Sequence, residues 1–313
     1  MDEPLVATLP RARFRFWIAL AAVALSAWSG RAAGQELEPG FYQNAPLRMN
    51  SAVLGYTYST GNILFDASLP VEGAHAKTNT VALGYLRTIG IFRRSAKVDV
   101  QVPIGWGDFE GTLAGVFRTR SPSGFADPRI RLSVNLFGAP ALERKDFGSY
   151  HPSTIVGAGA QVVVPVGQYD PEKLINLGAN RWAFRAEAGA SHTRKRWFLD
   201  VVGGSWFFTE NTDYYGGATV SQQPLPFVKG DVLYTFRRGL WAALSYGLAN
   251  GGKTSINGAP ATNLQTNNRL AATLAYPIAP ATSFQLKYTS GVSTRLGADF
   301  DSYGAVIQHT WGS

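Results

Sequence analysis

The chain has 313 residues, no cysteine, two methionines and a formal charge of +8. The missing cysteines exclude a disulfide framework, a cysteine nucleophile and the lipid-bearing cysteine of a lipoprotein. The modest positive charge does not by itself specify a nucleic-acid partner, and none is expected. With 34 glycines and 39 aromatics, the composition suits short glycine- and aromatic-rich strands better than a helical enzyme.

The N-terminus carries Arg11, Arg13 and Arg15, an apolar run from Phe16 to Trp28, and then small residues through Ala32, Ala33 and Gly34. This is the layout of a secretory signal, with cleavage expected before Gln35. Thirteen helical residues reach only about 20 Å, short of a ~30 Å hydrocarbon core, so a membrane-anchoring helix is disfavoured. Residues 1–34 are therefore expected to be a signal peptide, 35–48 a periplasmic N-terminal segment, and 49–313 the folded body. No later apolar run approaches the ~20 residues of a transmembrane helix.

Twelve stretches of polar and apolar alternation follow: 50–58, 78–89, 97–106, 129–137, 154–166, 181–191, 197–208, 227–237, 240–248, 269–278, 282–290 and 302–311. The fourth is representative, with Ile130, Leu132, Val134 and Leu136 on one face and Arg129, Arg131, Ser133 and Asn135 on the other. Period two means that successive side chains point to opposite faces of a strand. Tyr56, Tyr58, Trp106, Trp182, Trp197, Tyr276, Tyr288, Tyr303 and Trp311 stand on apolar faces near strand ends, as membrane-interface girdles would place them.

The gaps between the stretches are long, short, long, short. Long connections cover 59–77, 107–124, 209–226 and 249–268. Short ones are Gly90 to Arg94, Thr193 to Arg196, Arg238-Gly239 and Ala279 to Ala281. Only 138–153, which should be short, breaks the alternation. The expected fold is all-β, an antiparallel transmembrane β-barrel of about 12 strands in a bacterial outer membrane. Its short turns face the periplasm and its long loops face outward. Three of the short turns are basic, through Arg93-Arg94, Arg194 to Arg196 and Arg237-Arg238.

The polar faces carry charges of both signs, which cannot meet lipid and so must face the lumen. Lys97, Asp99, Arg129, Arg131, Arg185, Glu187, Lys229, Asp231 and Lys287 are the candidate lumen and selectivity residues. They could line a narrow path or fill it with ion pairs.

Catalytic and metal-binding patterns are absent. The four histidines, His75, His151, His192 and His309, have no metal-ligand spacing, and no nucleophile elbow or phosphate loop occurs. No metal, cofactor or enzymatic activity is expected. Ser191, His192 and His309 leave an outer-membrane hydrolase as one alternative reading, and a non-conducting structural or adhesive barrel is another.

Val164-Pro165-Val166-Gly167-Gln168-Tyr169-Asp170 and Asn176-Leu177-Gly178-Ala179-Asn180-Arg181-Trp182 are distinctive. So are Gly124 to Pro128, Phe207 to Gly217 and Thr294 to Phe300. As a set the chain resembles the Gram-negative outer-membrane transporter family of meta-pathway phenol-degradation proteins. The resemblance implies a barrel passing small, often aromatic or hydrophobic, compounds, with no catalytic residues to carry over. One departure is the C-terminus, where Trp311 is followed by Gly312 and Ser313 instead of ending the chain. The expected partners are the lipid bilayer, a small-molecule solute and the outer-membrane assembly machinery, which would read Tyr303, Ile307 and Trp311.

Overall fold

The computed structural model describes residues 37–64, 71–113, 115–260, 264–294 and 297–312. The expected signal peptide, 1–34, lies outside the described residues.

Twelve long strands form the wall: β1 (Asn50–Leu64), β2 (Val71–Ile91), β3 (Arg94–Leu113), β4 (Arg129–Phe137), β5 (Thr154–Val163) and β6 (Ala183–Arg194), then β7 (Trp197–Phe208), β8 (Leu225–Arg237), β9 (Leu240–Gly251), β10 (Gln265–Ala279), β11 (Thr282–Ser293) and β12 (Gly297–Trp311). Each pairs antiparallel with its sequence neighbours. β12 closes on β1 in unbroken register, from Asn50 opposite Trp311 to Leu64 opposite Gly297. A closed sheet leaves no unpaired strand edge, the condition for crossing lipid with strands.

Period-two alternation sorts the wall into two faces. On β4, Arg131, Ser133 and Asn135 are buried inside, whereas Ile130, Leu132 and Leu136 are exposed outside. The same holds around the barrel, and Trp106, Trp182, Trp197, Tyr276, Tyr288, Tyr303 and Trp311 all stand on the exposed outer face. No helix among the described residues is long and apolar enough to cross a membrane.

The strands extend past their expected ends on the long-loop side. Beyond Trp106, β3 continues to Leu113 and pairs with Val116–Arg120, while Ile104–Trp106 pairs with Ser123–Phe125. Part of the expected 107–124 loop is thus a hairpin. Segments of the 209–226 and 249–268 connections likewise pair into a small four-stranded sheet of Asn211–Tyr214, Ala218–Gln222, Thr254–Ile256 and Ala259–Pro260. These extensions lack the sustained apolar alternation that marks the membrane-crossing parts.

On the opposite rim the turns are tight. Phe92 and Arg93 both take positive φ, the primed geometry that fits strand twist. The irregular 138–153 connection is elaborated because it serves the chain ends. Leu47 donates its N–H to the Leu142 carbonyl (2.8 Å), Arg48 pairs with Glu143 (2.6 Å), and Arg144 donates to the Gly312 carbonyl (2.8 Å).

Candidate transport lumen

The nine residues singled out from the polar faces all turn inward, on β3 (Lys97, Asp99), β4 (Arg129, Arg131), β6 (Arg185, Glu187), β8 (Lys229, Asp231) and β11 (Lys287). Some pair along the wall. Arg131 Nε donates to Asp99 Oδ2 at 2.8 Å, Arg185 is bonded to Glu187, and Lys229 lies 3.2 Å from Asp231.

The remaining contacts reach a segment expected elsewhere. Residues 35–48 are expected in the periplasm, but the described part runs from Leu37 inside the barrel. Leu37 and Tyr42 are each 1% exposed. Glu38 receives Arg129 at 3.0 Å and Arg131 at 2.8 Å. Lys229 donates to the Glu38 carbonyl (2.8 Å), Lys287 to the Leu37 carbonyl (2.7 Å) and Lys97 to the Phe41 carbonyl (2.5 Å). The Phe41 ring lies under the Arg131 guanidinium at 3.6 Å, a cation–π contact. Tyr42 donates its hydroxyl to Glu187 at 3.3 Å.

The physical reason is reciprocal satisfaction. A buried cation is stable only when paired, and an irregular segment inside a barrel must find partners for its carbonyls. Wall lysines supply donors to the segment's backbone, and the Glu38 carboxylate answers two arginines. Glycine makes the room: a Cβ on Gly157 of β5 or Gly189 of β6 would run into the Tyr42 ring.

Above the segment the lumen turns apolar. Leu225 and Ala249 are buried and pack with Trp206, Phe208 and Phe227. Arg185 stacks over Phe227 at 4.5 Å and faces Trp206 at 5.6 Å. On the long-loop side, the connection containing residues 164–182 folds over the mouth. Asp127 accepts the N–H groups of Gly167 (2.8 Å) and Ala179 (2.7 Å), while Arg120 donates to the Ile175 carbonyl (2.6 Å). Leu177 thereby reaches inward-facing Gly105.

The alternative catalytic residues do not assemble. Ser191 is buried on the inner face, while neighbouring His192 is outside, with Nδ1 2.9 Å from Thr154 Oγ1. His309 is spent likewise on Thr282 at 2.9 Å. No cluster of three or more potential metal ligands occurs among the described residues.

Glu38, Phe41 and Tyr42 were the residues hidden from pattern reading, because a segment without periodicity carries no orientation signal. The glycines on the inner faces of β5 and β6 were the available hint.

Residues 52–303 match the family model described as "Putative MetA-pathway of phenol degradation". The chain belongs to this family. Among solved structures it is similar to the COG4313 outer membrane channel from Pseudomonas putida F1, at 19% identity and a TM-score of 0.73, covering 88% of this chain and 100% of that one. The transport unit of the autotransporter AIDA-I from Escherichia coli matches more distantly, at 8% identity and a TM-score of 0.50, covering 95% and 97% of the two chains. No curated protein matches. The family and the barrel together make the chain an outer-membrane β-barrel with the fold of a channel.

Proposed function

We propose that this barrel passes small apolar or aromatic molecules across the outer membrane and that its own N-terminal segment closes the lumen at rest. The observation that carries this reading is the lumen's two-part lining. An aromatic cluster of Trp206, Phe208 and Phe227 sits above a segment whose Phe41 and Tyr42 continue the aromatic surface inward.

In this reading Lys97, Arg129, Arg131, Lys229 and Lys287 hold the segment and set the field of the path. Asp99, Glu187 and Asp231 keep those cations paired, and Arg185 presents a cationic face to aromatic solutes as it does to Phe227. The family's phenol-degradation description and the channel name of the Pseudomonas putida structure point the same way. The assembly machinery would read the outward Tyr303, Ile307 and Trp311 of β12.

The test is uptake. A strain lacking the protein should accumulate or grow on aromatic compounds more slowly, and plasmid-borne protein should restore it. Unchanged uptake across a panel of phenols and alkylbenzenes would remove the transport reading. A structural or adhesive barrel would instead show envelope or adhesion defects without an uptake defect.

A further inference from the structure

The outer wall is not uniformly convex. Across β7 to β12 and on to β1 it carries a groove of about 830 Å³. The cross-strand register explains it: Tyr234, Ala242, Leu274, Leu286, Ala305 and Tyr56 are successive partners along one row of outward positions. Ala242, Ala272 and Ala305 are small beside their neighbours Leu244, Leu274, Leu286 and Tyr56, so the floor sinks there. Leu244, Leu274 and Leu286, each about half-exposed, form its sides.

One end of this groove meets a second feature. Trp197 and Tyr234, with ring centroids 4.7 Å apart, close it at the rim of short turns. The two turns at that place carry Arg194, Lys195 and Arg196, and Arg237 and Arg238, all exposed. No acidic residue occurs in 192–198 or 234–242. Arg237 lies against the outer wall, its guanidinium 5.9 Å from the centroid of Tyr276.

We infer that this sector is a binding site for an anionic phospholipid of the inner leaflet. The headgroup phosphate sits among Arg196, Arg237 and Arg238, and an acyl chain lies in the groove above Trp197. Charge complementarity selects this occupant. The short-turn rim of an outer-membrane barrel faces the periplasm and hence the phospholipid leaflet. Basic residues grouped at that level attract anionic headgroups, whereas a zwitterionic lipid gains little from them. Tryptophan and tyrosine belong at the junction between headgroup and chain.

The experiment reads Trp197 fluorescence in vesicles of phosphatidylcholine and phosphatidylglycerol, with bromine on the acyl chains of one lipid at a time. Subtracting the Trp197→Phe variant isolates its signal. Brominated phosphatidylglycerol should quench Trp197 more strongly than brominated phosphatidylcholine at equal mole fraction. The combined Arg196→Ala, Arg237→Ala and Arg238→Ala variant should lose that preference, with about fivefold weaker relative binding per arginine. Ala242→Leu with Ala272→Leu should reduce retention of phosphatidylglycerol through detergent washing, read by native mass spectrometry, with the basic turns intact. Heat-modifiable gel mobility confirms that each variant is folded. Equal quenching by the two lipids in the native protein, or a preference that survives loss of the arginines, would overturn the site.

Discussion

The lumen wall has two unlike halves. From β3 to β8 its inner face carries Lys97, Asp99, Arg131, Arg185, Glu187, Lys229 and Asp231, all buried. From β9 to β11 the buried residues are mainly small or neutral, Ala243, Ser245, Ala249, Asn267, Asn268, Ala271, Thr273, Ala275 and Thr289, while Arg269 donates to the Ala298 carbonyl at 2.7 Å. The N-terminal segment leans on the charged half, and from the other half Lys287 donates to the Leu37 carbonyl at 2.7 Å. Charge has therefore been placed where a ligand of the protein's own chain needs it. In the proposed function the small-residue half is the side along which solute slips once the segment yields.

The most forceful way to break this asymmetry is to delete residues 37–47. The barrel wall remains closed through β12 and β1, so the variant should fold and show heat-modifiable mobility. Its conductance in planar bilayers should rise several-fold over the native protein. An unchanged conductance would mean that the segment does not obstruct the path.

Next in size is Arg131→Glu. It removes the pairs with Glu38 and Asp99, both at 2.8 Å, and the stacking on Phe41, and it places a carboxylate beside Asp99. Loss of the Glu38 pair and of the Phe41 stacking removes two of the wall's holds on the segment, which should unseat it. Reversal-potential measurements should show both opening and a shift toward cations. Opening without a shift would place Arg131 outside the ion path.

Gly157→Val tests the same seat without substituting a charged residue. The added side chain takes the space of the Tyr42 ring, which is packed against Ile155, Ala139 and Val202. Conductance should rise by less than in Arg131→Glu, with ion preference unchanged. A shift in preference would contradict the division between packing and charge.

These variants also mark what was legible beforehand. The intervals 129–137 and 197–208 read as strands coincide with β4 and β7, because both cross lipid along their length and alternate sharply. The interval 78–89 grew into β2, Val71–Ile91, since beyond Val71 its extension carries Glu72, His75 and Lys77 and no apolar side chain larger than alanine. The inward direction of Arg131 and Lys229 was readable because lipid excludes the alternative. The partners of those residues were not. Glu38 meets Arg131 across 93 positions and Lys229 across 191, and no local period encodes such a meeting. The excess length of 138–153 was visible, but its role in binding Leu47, Arg48 and Gly312 was not.

The smallest expected effect concerns Glu38, which sharpens the charged half to a single group. Its burial would raise the carboxyl's pKa, yet Arg131, with help from Lys287 and Lys229, outweighs that and lowers it from 4.5 to about 2. A lowered pKa in the seated state means that protons favour the released state. The contribution of Glu38 to seating is therefore complete above about pH 4.5 and is lost as the pH falls through about 2. Conductance should stay flat from pH 7 to pH 5 and climb only in stronger acid. Glu38→Gln should open the channel at neutral pH and flatten the acid response. Because the Glu38 side chain is 37% exposed, solvent screens the pair. A discounted strength of ~0.5 kcal/mol gives about a twofold larger open fraction in the variant. An acid-induced opening that persists in Glu38→Gln would move the sensor to another group on the charged wall.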